Sequence, residues 1–180
     1  MSFKEKIVAA AVRNQTRTVL ALDLEDPDPS RLLEKSMEVL RSAKDLICAV
    51  KINRQLILTL GVRTVADSIL KLASDFSLPS IMDAKVNDVG HTNGFIARTY
   101  YDAGFDAIIA SPVAGWENGL DSVFEAAATR RKVFQWWNFS ARLHILDDLI
   151  YVIALSNNDL GYSKTSQISR HAQFSAFQLR

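Results

Sequence analysis

Over residues 1–128 the chain alternates short, continuously apolar runs with stretches whose apolar residues recur every three or four positions. The runs are 18–23 (TVLALD), 47–53 (ICAVKIN), 79–83 (PSIMD) and 106–111 (DAIIAS), and each predicts a strand. After the first run, Leu33, Met37 and Leu40 line one helical face. Asp28 before Pro29 marks its start, because proline at a first helical position has a preset φ and needs no amide partner. Val62, Val65, Ile69, Leu72 and Phe76, spaced 3, 4, 3 and 4, form the clearest amphipathic helix. Residues 87–101 and about 116–128 predict two more helices, and Phe3, Ile7 and Ala11 predict one across 2–14, ahead of the first strand.

Strand starts lie 29, 32 and 27 residues apart, near the roughly 30 that a strand, a crossover and the next parallel strand occupy. The runs are apolar on both faces, as in a parallel sheet covered by helices on each side. The fold class is therefore α/β, with four clear βα units. A closed eight-fold α/β barrel typically takes about 250 residues, and this chain has 180.

Beyond residue 128 the pattern changes. Residues 1–128 hold 14 Lys/Arg against 17 Asp/Glu, whereas 129–180 hold 7 against 3. Aromatic residues number 8 in the first 128 positions and 8 in the last 52, where one glycine and no proline remain. Residues 141–155 predict a helix through Leu143, Leu146, Ile150 and Ile153, and no βα period continues after it. The chain thus divides into 1–128 and a divergent segment, 129–180, whose composition points to a reading-frame change or a substituted C-terminus near residue 129.

Composition narrows the class of protein. With 48% hydrophobic and 23% charged residues the chain suits a globular domain with one sizeable core. A net charge of +1 gives no general pull toward nucleic acid or anionic membranes. The longest apolar run, Leu149 to Leu155, is seven residues, against the roughly 20 a membrane helix needs. The run Ile7 to Val12 is short for a signal peptide. Cys48, the lone cysteine, permits no internal disulfide, fits a reducing cytoplasm and reads as a core residue.

Reactive groups in parallel α/β folds collect at the carboxyl ends of the strands. Here those ends carry Asp23, Lys51, the trio Asp83, Lys85 and Asp88, and Ser111. The third is densest. Asp83 and Lys85 share a face if the strand continues that far. A lysine flanked by carboxylates stays protonated and suits proton donation better than Schiff-base chemistry. Spacing alone serves equally well for an ordinary salt-bridge network with Asp88 capping the next helix. His91, His144 and His171 do not cluster as metal ligands. Gly115 and Gly119 form no phosphate-binding loop.

The stretch DAKVNDVGHT resembles the orotidine 5′-phosphate decarboxylase family, whose signature Asp-x-Lys-x-x-Asp-x-x-x-Thr is matched by Asp83, Lys85, Asp88 and Thr92. LALD ending in Asp23, VKIN carrying Lys51, and the loop SPVAGWENGLDSVFEAA extend the resemblance over about 15–128. It implies a (β/α)8 TIM barrel, incomplete in this chain, and a cytoplasmic homodimer. It also implies conversion of orotidine monophosphate to UMP and CO2, in pyrimidine biosynthesis, with no metal or organic cofactor. By that resemblance Asp83 sits against the substrate carboxylate and Lys85 protonates the ring carbon. Asp23 and Lys51 bind ribose hydroxyls, and Asp88 and Thr92 reach the neighbouring subunit's site. Ser111 is a further candidate substrate contact.

Related magnesium-dependent sugar-phosphate decarboxylases and hexulose-phosphate synthases share the Asp-x-Lys-x-x-Asp core. They usually carry a glutamate on the second strand, where Lys51 stands here and would repel a metal ion. The family's glutamine-bearing lid and Gly/Arg phosphate loop have no counterpart in 129–180, where Arg142, Arg170 and Arg180 lack neighbouring glycines. A non-catalytic remnant that binds nucleotide weakly, or pairs with homologues, is the alternative function.

Overall fold

The computed structural model describes residues 1–130, 133–136 and 151–155. Helix α1, Phe3–Arg13, begins in a capping box: the Ser2 hydroxyl accepts from the Glu5 amide while the Glu5 carboxylate accepts from the Ser2 amide. Strand β1 is Thr18–Leu22 and helix α2 is Pro29–Ala43. As the sequence predicts, Asp28 caps α2, accepting from the Ser30 and Arg31 amides. Strand β2, Ala49–Asn53, runs directly into helix α3, Arg54–Leu60, which the apolar pattern does not mark as a separate element. Gly61, at φ +78°, breaks the path before helix α4. That helix comprises Val62–Val65, a π-helical turn Ala66–Leu70, and Lys71–Asp75. Strand β3 is Ser80–Val86, helix α5 is Gly90–Asp102, and strand β4 is Ala107–Ala110. A kinked turn, Trp116–Leu120, with Glu117 extended and Asn118 at φ +53°, leads into helix α6, Asp121–Thr129.

Two further strands, β5 (Val133–Trp136) and β6 (Tyr151–Leu155), complete a six-stranded parallel sheet in the order β5-β4-β3-β2-β1-β6. Strands β1 to β5 lie side by side in chain order, the singly wound sequence of a barrel wall. Here the sequence reading needs two corrections. A fifth strand lies past residue 128, where the sequence predicts none: β5 starts 26 residues after β4. Four residues behind a run of cations carry too little pattern to announce a strand. The helix expected over 141–155 is also overturned at its end, where Tyr151–Leu155 is a strand paired with β1. A short continuous apolar run suits a buried strand or a buried helix equally, and here tertiary pairing decides. Residues 141–150 of that expectation, with Arg142, His144, Arg170, His171 and Arg180, lie outside the described residues.

The core forms where the helices cover the sheet. Val19, Leu20, Ala21 and Leu22 of β1 are all buried, so both faces of the strand are covered. Cys48 is buried just before β2, where burial pushes its thiol up to about 11, as suits a core residue.

Helix α1 closes the amino-terminal end of the sheet. Asn14 Nδ2 donates to the carbonyls of Lys44 and Ile47, both at 2.8 Å, ahead of β2. Arg13 donates to the carbonyls of Phe76 and Ser77, ahead of β3. Lys6 Nζ lies 2.7 Å from Asp106 Oδ1, just ahead of β4, and Asp106 Oδ2 accepts from the buried Ser80 amide at 3.1 Å. This end of a barrel sets stability rather than chemistry. Asp106→Ala leaves the Ser80 amide without that acceptor and is expected to cost about 1–3 kcal/mol. Urea unfolding midpoints with an unchanged slope would show it, and a midpoint equal to wild type would refute it.

Candidate active site

The opposite, carboxyl-terminal end of the sheet gathers the charged groups. In strand register Ala21 faces Lys51 and Asn53 faces Asp83, so the first three strand ends form one row. Asp23 and Ser111 sit one residue past β1 and β4. In β2, Lys51 and Asn53 are the half-buried positions between buried Val50 and Ile52, so they share a face.

Asp83 is the hub. Its side chain is 5% exposed, with Lys51 Nζ 2.8 Å from Oδ2 and Lys85 Nζ 2.8 Å from Oδ1. Burial pushes the Asp83 carboxyl up, but the charges and hydrogen bonds of Lys51 and Lys85 outweigh it and hold it below the ordinary carboxylate value. The carboxylate is thus ionised at neutral pH and fixes two partly buried cations.

Strand β3 reaches Lys85 by departing from regular geometry. Its register with β4 shifts between Met82 and Val86, and Lys85 has φ +48°, a left-handed conformation unusual for a residue with a side chain. Such backbone persists only where surrounding structure over-determines it, and it concentrates at functional sites.

Asn53 is a site residue to which the sequence alone assigns no role. Its Nδ2 donates to Asp23 Oδ1 in a short hydrogen bond, while its Oδ1 accepts from the Arg54 amide at 3.1 Å. The alternation of Lys51 and Asn53 along β2 was the available signal. Asp88 lies on the exposed loop after β3, where its Oδ1 accepts from the Val89 amide at 2.7 Å. The N-cap of α5 is Val89 with no side-chain cap, so Asp88 does not serve as the helix cap. Thr92 is half-buried on the first turn of α5. Ser111 is buried, and its hydroxyl accepts from the Val113 amide at 3.4 Å. The structure therefore joins Lys51, Asp83 and Lys85 in one ion-paired cluster and sets Asp23 beside it through Asn53. It leaves Asp88 on the rim.

No group of three or more His, Cys, Asp or Glu side chains is arranged to hold a metal among the described residues. Nor is any helix among them long and apolar enough to cross a membrane.

A family model described as orotidine 5′-phosphate decarboxylase / HUMPS matches residues 16–169. The orotidine 5′-phosphate decarboxylase of Pyrococcus abyssi is 37% identical over 97 residues, covering 54% of this chain and 42% of that protein. That of Thermococcus kodakarensis is 31% identical over 115 residues, covering 64% and 49%. The chain thus spans about half the length of these relatives. Among solved structures, Leishmania donovani OMP decarboxylase superposes with a TM-score of 0.62 at 19% identity, over 76% of this chain and 53% of that one. Leishmania donovani UMP synthase gives 0.65 at 19% identity, over 76% and 30%. At such identity the likeness is one of fold.

Proposed function

Because the chain belongs to the orotidine 5′-phosphate decarboxylase / HUMPS family, we propose that its site converts orotidine monophosphate to UMP and CO2 without a metal, with Lys85 as proton donor. The observation that carries this reading is the ion-paired Lys51–Asp83–Lys85 cluster at the carboxyl ends of β2 and β3. Asp83 faces the substrate carboxylate. As the bond from the ring carbon to the carboxylate breaks, CO2 leaves and the electron pair remains on the ring carbon. The Lys85 ammonium stabilises that charge, transfers a proton to the carbon, and is reprotonated from solvent. Asp23, held by Asn53, and Lys51 take the ribose hydroxyls, and the Ser111 hydroxyl retains a proton to donate to substrate.

Asp88 and Thr92 complete a neighbouring subunit's site in a cytoplasmic homodimer. Val89 beside Asp88, and Phe95 three residues on from Thr92, are exposed apolar side chains, which supports an interface there. The donor set does not suit the magnesium chemistry of the sugar-phosphate branch. A divalent cation needs several oxygen ligands, whereas both Asp83 oxygens accept from ammonium groups and a lysine occupies the second-strand position.

A carbon-14 release assay with carboxyl-labelled orotidine monophosphate tests the reading. Turnover should persist undiminished in EDTA, and loss of turnover on chelation, restored by magnesium, would move the chain to the metal-dependent branch. One rival is a remnant that binds nucleotide without reacting, because an Asp83 carboxylate paired with two lysines also serves as an ordinary salt-bridge network. Retained binding of UMP with no CO2 release would establish that rival.

A further inference from the structure

We propose that Asn93 is a positioning residue that fixes the Asp88 loop and locks it to the loop following β4; its effect on turnover rests on the reading of Asp88 as part of a decarboxylase site. Asn93 lies on the first turn of α5 and is 0% exposed. Its amide is used fully. Oδ1 accepts from the Asp88 N–H at 2.9 Å, and Nδ2 donates to the Asp88 carbonyl in a short hydrogen bond. Nδ2 also donates to the Gly119 carbonyl, at 3.1 Å. One side chain therefore holds both backbone polar groups of Asp88, which sets the direction in which the Asp88 side chain leaves the backbone. The same side chain joins that loop to the kinked turn ahead of α6.

The junction has no slack. A Cβ at Gly90 would lie 2.9 Å from the backbone carbonyl of Asn118 across the junction, and within the loop following β4 a Cβ at Gly119 would collide with the Ala114 carbonyl oxygen. Backbone thus packs on backbone at this seam, and a buried amide with three satisfied hydrogen bonds fixes its register. No hydrogen bond of the Asn93 side chain goes to the Lys51–Asp83–Lys85 cluster, so its routes to the site are the Asp88 loop and the loop following β4, and the double variant separates them.

The test uses Asn93→Ala, Asp88→Ala and the double variant, each in the full chain. Amide hydrogen exchange should show protection at Asp88 falling at least about tenfold in Asn93→Ala while β2 amides are unchanged. Unchanged protection at Asp88 would overturn the proposal. In the decarboxylation assay Asn93→Ala should lower kcat about tenfold in the wild-type background and less than about twofold in the Asp88→Ala background. A residue that only supports the fold would give equal losses in both backgrounds, and that result also overturns it. Asn93→Gln serves where alanine does not fold, since it keeps a neutral amide but moves it one methylene away. It should lower Asp88 protection and turnover together, and unchanged protection with full turnover would count against the proposal. A wild-type chain that releases no CO2 removes the proposed reaction, while the exchange result still decides whether Asn93 fixes the loop.

Discussion

Replacing Lys85 with alanine is expected to lower turnover of orotidine monophosphate by at least about a thousand-fold. A positioned proton donor contributes about 10²–10⁴-fold, and a cation placed where charge develops contributes about 10²–10³-fold on mutation. The chain should still fold, because Asp83 keeps Lys51 at 2.8 Å. The backbone supplies an internal control. Lys85 sits at φ +48°, which costs a residue with a Cβ about 1–2 kcal/mol and glycine almost nothing. Lys85→Gly should therefore melt above Lys85→Ala although both are inactive. If alanine retains near-native turnover, Lys85 is not the proton donor. Equal melting temperatures would show instead that the left-handed backbone stores no strain to release.

That strain also marks how far the sequence could be read. The strand ends were legible because their runs are apolar on both faces, and polar residues in such runs stand out at once. The meeting of Asp83 and Lys85 was expected from simple alternation, yet the structure reaches it through a register shift and a left-handed residue. The ion pair was legible and its route was not, because bulge geometry leaves no mark in residue type here. Asn93 is harder still, because an uncharged amide that binds backbone groups has no periodic spacing to betray it. Asn14, which ties the floor of the sheet together, escaped notice for the same reason. Near the C-terminus the difficulty was different in kind. The run LIYVIAL suits a helix or a strand, and only pairing with β1 selected the strand at Tyr151–Leu155.

Asp83→Asn should abolish turnover and, separately, destabilise the chain. The variant leaves two ammonium groups converging on a neutral amide that is itself almost fully buried. Breaking a buried pair by removing one partner costs about 3–5 kcal/mol. Lys51 and Lys85 keep side-chain exposures of 17% and 31%, so solvent relieves part of that, and about 1–3 kcal/mol is expected. The effect has a pH signature whose sign follows from the depressed carboxyl. Although burial alone raises its pKa, the two lysines lower it overall, so the folded state binds a proton less readily than the unfolded one. The wild-type advantage should be fully present above the unfolded value of about 4 and disappear as pH falls through the lower folded value. Urea titrations of both proteins between neutral pH and acid measure it. An advantage independent of pH would mean that Asp83 stabilises by packing alone. An advantage that grows in acid would mean that burial, not the lysines, controls the carboxyl. Adding Lys51→Met to Asp83→Asn removes one of the two stranded cations and should recover part of the lost stability. Failure to do so would break the argument that charge imbalance, rather than lost shape, is what the single variant suffers.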